Sequence, residues 1–100
     1  MRINFKQEEL VREFFYALKE KFPEVGFVSV TEGPENPYDL WINITAPENE
    51  DREIEMIEFA GNRTTDILLD YGYYITIMTR KNNDSIGGMR YEEIFDAVAA

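Results

Sequence analysis

The chain of 100 residues contains no cysteine and no histidine. Without cysteine it forms neither a disulfide nor a thiolate metal site. Without histidine it lacks the commonest metal ligand and the usual general base near neutral pH. Its two serines, Ser29 and Ser85, therefore have no imidazole to activate them. A Ser–Lys pair would need Ser85 beside Lys81, in a polar, glycine-rich stretch that holds geometry poorly. Bases are also scarce: ten Lys and Arg face twenty Asp and Glu, a formal net charge of −10. Such a chain repels phosphate backbones at long range, and it favours basic partners or simply stays soluble. No apolar run approaches the roughly 18 residues of a membrane helix. The start, MRINFKQEE, lacks the apolar core of a signal peptide. These absences point to a soluble cytoplasmic protein with no membrane partner and no cofactor, and they disfavour a nucleic-acid partner.

What is present is globular. Hydrophobic residues make up 44 %, and a chain this long is one domain that can bury a core without staples. The organising stretch runs from Pro47 to Arg80, a long amphipathic helix followed by a strand rich in β-branched and aromatic residues. Before it, Asn4-Phe5-Lys6-Gln7 fits a capping box. Leu10, Val11, Phe14, Phe15, Leu18 and Phe22 then recur at helical spacing, and Pro23 ends that helix. Phe27 to Glu32 and Tyr38 to Thr45 read as strands, joined by the turn Gly33-Pro34-Glu35-Asn36-Pro37 into an antiparallel hairpin.

The long helix opens at a Thr45-Ala46-Pro47-Glu48 capping box, or with Asn49 or Asp51 as the cap. Ile54, Ile57, Gly61, Thr64, Leu68 and Tyr71 are its expected buried stripe, flanked by Ala60 and Ile67. Gly61 implies a kink into two helices or a close approach by a neighbouring backbone, with the kink favoured by Asn62. Gly72 suits a left-handed helix end. Tyr73 to Arg80 is the third strand. Residues 81–90 read as a flexible loop before a short C-terminal helical tail marked by Tyr91, Ile94, Phe95 and Val98.

The order α-β-β-α-β-α predicts a single α+β domain over residues 1–100. It has a three-stranded mixed sheet with the two main helices on one face. Alternation sets Val28, Val30, Leu40, Ile42, Ile44, Ile75 and Ile77 beneath the helices. It leaves Phe27, Trp41, Asn43, Tyr74, Thr76 and Met78 on a second face with few charges. A solvated face normally alternates toward charge, and a contiguous apolar patch usually has a partner. The C-terminal helix folding back, a second copy, or a foreign ligand could cover it.

Other chemistry is sparse. Asp51, Glu55 and Glu58 align on one helical face and carry the kind of oxygen ligand that magnesium or calcium takes. Yet an exposed helical stripe diverges rather than converging into a cage, and acids simply suit a helix N-terminus. Asp66 and Asp70 are read the same way. Asp39-Leu40-Trp41 lacks the second aspartate of a nucleotidyltransferase metal pair. No catalytic and no metal residues are assigned.

The order α-β-β-α-kink-α-β, with Ala60-Gly61-Asn62 at the kink, resembles the type II KH fold and its ribosome-binding factor branch over about residues 5 to 80. The chain has Ala-Gly-Asn where that branch has Ala-x-Gly, and it has no GxxG loop. The resemblance implies RNA binding, with Arg63, Arg80, Lys81 and Arg90 on phosphates. The chain is also similar to small acidic bacterial proteins of unknown function. The expectation from the residues themselves is a non-enzymatic interaction module. It associates as a homodimer through the aromatic sheet face, or meets a basic protein surface.

Overall fold

The computed structural model describes residues 3–80 and 87–95. Lys81, Ser85, most of the expected 81–90 loop and Val98 lie outside them. The elements follow the expected order: α1 (Phe5–Lys21), β1 (Gly26–Glu32), β2 (Leu40–Thr45), α2 (Glu50–Tyr71), β3 (Ile75–Arg80) and α3 (Tyr91–Phe95). The sheet runs β1-β2-β3, with β1 antiparallel and β3 parallel to the central β2. It is a three-stranded mixed sheet in an α+β fold.

Local chemistry sets the ends of α1. The Asn4 side chain accepts from the Gln7 amide (2.7 Å), and the Gln7 side chain accepts from the Asn4 amide (2.9 Å), a complete capping box. The expected stripe of Leu10, Val11, Phe14, Phe15 and Leu18 is buried. It meets Val30, Leu40, Ile42, Ile44 and Ile75 in one core. In α2, Asn49 is the cap, its side chain accepting from the Arg52 amide. At the other end Gly72 has φ 78°, the left-handed stop for which glycine is suited.

Three expectations give way. The buried residues of α2 are Met56, Ala60, Thr64 and Ile67, while Ile54 and Ile57 are 60 % and 56 % exposed. The helix is therefore turned by roughly a fifth of a turn from the expected stripe, at 100° per residue. Apolar residues surround much of α2, so periodicity alone selects no one stripe. The chosen face carries small Ala60, which permits close approach, and Thr64, whose hydroxyl donates to the Ile75 carbonyl (2.9 Å).

Secondly, α2 passes through Gly61 without a break, and a Cβ there would meet nothing within 4 Å. Neither a division into two helices nor a close neighbouring backbone accounts for this glycine.

Thirdly, the β1 register shifts between Phe27 and Ser29, so Val28 is the extra residue of a bulge. The bulge flips Phe27 onto the helix side. There its ring meets Phe15 and Phe95 edge-on, at 5.3 and 5.4 Å between centroids.

The C-terminal helix covers this same side. Met89 exchanges both backbone hydrogen bonds with Val30 (2.8 Å each), extending the β1 edge by one bridge. Gly88 makes that approach possible: its φ is 104°, and a Cβ would run into the Val30 carbonyl. Ile94 and Phe95 are buried in the main core, and Arg12 Nη1 donates to the Ile94 carbonyl (3.1 Å).

Candidate functional site

The second face of the sheet is built from Ser29 and Thr31 of β1, Trp41, Asn43 and Thr45 of β2, and Thr76, Met78 and Arg80 of β3. Its centre is polar. Asn43 is fully buried and Ser29 nearly so. The Asn43 amide nitrogen donates to Thr31 Oγ1 (2.9 Å) and Ser29 Oγ (3.3 Å). Its oxygen accepts from Arg80 Nε at 3.0 Å. The Arg80 guanidinium lies 5.8 Å from the Trp41 ring centroid. Among the described residues no buried side-chain polar atom lacks a partner.

The six candidate interaction residues therefore divide. Trp41, Asn43, Thr76 and Met78 share this face. Phe27 is half-buried and packs against the core on the other side. Tyr74 precedes β3 and is 40 % exposed. It lines a cleft of about 660 Å³ together with Tyr38, Asp39, Tyr73 and Asn4. There Asn4 Nδ2 donates to the Tyr73 hydroxyl (3.1 Å).

The cations of the RNA alternative do not converge. Arg80 is engaged on the second face. Arg63 is on α2, lining a small cleft with Glu13, Asp66 and Asp70. Arg90 sits at the start of α3, 3.6 Å from Glu93. Lys81 lies outside the described residues.

Among the described residues, the titratable groups displaced from their ordinary pKa belong to two surface pairs. Hydrogen bonds from Arg52 hold the Glu24 carboxyl down to about 2, and hydrogen bonding with Glu9 raises Lys6. Asp51, Glu55 and Glu58 are exposed on α2. Among the described residues no three acids converge to hold a metal.

Sequence reasoning missed a different surface, at the edge of β3. Among the described residues no strand lies beyond it. The Leu40 amide donates to the Tyr74 carbonyl (3.0 Å). In a parallel ladder this turns the backbone groups of Ile75, Ile77 and Thr79 outward. Thr64 takes the Ile75 carbonyl, which leaves the Ile75 amide and the outward groups of Ile77 and Thr79.

Between this edge and α2 runs a groove of about 310 Å³, lined by Ile57, Ala60 and Gly61 and by Thr76 through Thr79. Its lining carries no charge. Ile54, Ile57 and Leu68 continue it as an exposed apolar stripe along the helix. The signal is present in the sequence as a second set of helically spaced apolar residues on α2, the set that periodicity places in the core.

No family model, no curated protein and no solved structure matches this chain.

Proposed function

We propose that the chain is a non-enzymatic protein-interaction module, and that its partner is a second copy of itself, bound along the outer edge of β3. The observation that carries this reading is the uncharged strip formed by that edge, the groove and the α2 stripe, on a chain whose net charge is −10.

Edge strands that must stay single are blunted by lysine, proline or inward charge. β3 reads Ile-Thr-Ile-Met-Thr before its one charge at Arg80, and its composition favours pairing. A basic partner would find no carboxylate in the groove to meet it. A neutral strand with the same alternation fits, and this chain supplies one. Two copies of one edge pair antiparallel about a two-fold axis, and two-fold dimers are the commonest assemblies of identical chains.

Light scattering on the purified protein tests the reading. The expected mass is that of two chains. Thr79→Pro removes an edge donor and Ile57→Asp places a charge on the strip; each should yield folded monomer. A wild-type protein that stays monomeric at submillimolar concentration would sink the proposal.

A further inference from the structure

The same surface specifies how two copies meet. We infer that two copies join with β3 paired antiparallel about Met78 and with their α2 helices crossing at Gly61. This deepens the self-association proposed above and rests on it.

The register follows from which backbone groups are left. Thr64 occupies the Ile75 carbonyl, so a pairing that needs Ile75 loses an acceptor. Centring the two-fold axis on Met78 sets Ile77 opposite Thr79 of the second copy, and Thr79 opposite its Ile77. Each pair exchanges both backbone hydrogen bonds. The outward groups of Ile77 and Thr79 are then all satisfied.

The helices follow from the strands. In each copy Gly61 lines the groove beside Thr76 through Thr79, close to the proposed axis. An antiparallel pair of strands carries two antiparallel α2 helices on one side of the sheet. Gly61 is where they come nearest: it is exposed, and the space where a Cβ would stand is open. Small residues at a crossing let helix backbones approach closely.

The remaining positions are self-complementary about this glycine. Ile54 lies seven residues before Gly61 and Leu68 seven after, so each is two turns away on the same side. In the antiparallel crossing, Ile54 of one copy meets Leu68 of the other, twice. Ile57, four residues before, meets Thr65, four after.

Charge obeys the same arrangement. Glu50 and Glu58, the acids nearest the stripe, are both N-terminal to the crossing. Glu50 meets Gly72 across it, and the position opposite Glu58 is Thr64, which is buried against β3 of its own chain; neither carries a charge. A parallel crossing would instead set each acid against its own copy. Gly61, which costs α2 helix propensity without relieving any contact inside the chain, thereby gains a physical reason.

The absence of cysteine permits a direct test. Gly61→Cys in the full chain, oxidised mildly, should cross-link into a disulfide dimer in high yield, since a disulfide needs Cα atoms within about 7 Å. Leu69→Cys, on the same helix but turned away from the stripe, should cross-link at most a tenth as fast.

A second measurement covers a glycine variant that folds poorly. Ile54→Asp and Leu68→Lys alone should each weaken association at least tenfold. Together they should restore it to within about threefold of wild type, because each introduced carboxylate meets an introduced ammonium of the other copy. Dimers in which the Gly61→Cys variant cross-links no faster than the Leu69→Cys variant, or in which the charge pair gives no rescue, would overturn the crossing while leaving self-association standing. Monomeric wild-type protein would overturn both.

Discussion

The two surfaces that flank β3 are built by opposite means. On the second face, residues that alternate as an apolar patch enclose a buried amide, with Asn43 bonded to Thr31, Ser29 and Arg80. At the outer edge, residues that read as core are left outside, because α2 buries Met56 and Ala60 in place of Ile54 and Ile57. Among the described residues the first surface is self-satisfied, and the second ends in a strand edge with no neighbouring strand. A patch is therefore judged by what its polar groups have bonded to, and by which groups still lack a partner, rather than by its count of aromatics.

The sharpest way to break this contrast is on adjacent residues of α2. Met56→Ala should cost about 2–5 kcal/mol, as a fully buried side chain is replaced by a cavity. Ile57→Ala should change the folding stability of the separated chain by less than about 0.5 kcal/mol, as for exposed sites generally. Urea denaturation of both at low protein concentration checks this. Equal losses would mean that the helix is turned as its periodicity first suggests.

A smaller effect probes the polar seam. Asn43→Leu strands Thr31 Oγ1 and the Arg80 guanidinium without their shared partner and should destabilise by about 2 kcal/mol. If the second face were instead a greasy docking surface, the same change would be neutral or stabilising in thermal melts.

The smallest effect lies away from both surfaces. Arg52 donates to both Glu24 oxygens, at 2.8 and 3.0 Å, and holds that carboxyl at about 2 against an ordinary 4.5. A lowered acid pKa stabilises the fold above the unfolded value, and the gain is lost as pH falls from about 4.5 toward 2. Both groups are solvated, so the effect is small. Glu24→Gln should lower the melting temperature slightly at pH 7, and the gap to wild type should close by about pH 2.

Much of the fold is legible in the sequence because it rests on local rules. Asn4 and Gln7 cap α1 through bonds spanning three residues, the α1 stripe has one apolar side, and Leu40, Ile42 and Ile44 alternate cleanly. Gly72 ends α2 for a reason contained in its own φ. The candidate surface is legible only in part. One extra residue at Val28 reverses Phe27, and a bulge of this kind leaves no periodic trace. The choice between two apolar stripes on α2 is absent from the helix itself, since Ile54, Met56, Ile57 and Leu68 are alike in hydropathy.

By itself the sequence determined element type, order and approximate ends, because capping, proline, glycine and alternation act within a few residues. It also determined which chemistries lack their usual residues. Only the tertiary structure decided the rotation of α2, the side on which Phe27 lies, the docking of α3 through Met89 and, among the described residues, the edge position of β3. Each of these depends on contacts between segments far apart in the chain: Thr64 with the Ile75 carbonyl, Val30 with Met89, Phe27 with Phe15 and Phe95. Local pattern cannot weigh such contacts, because their free energy appears only when the segments meet.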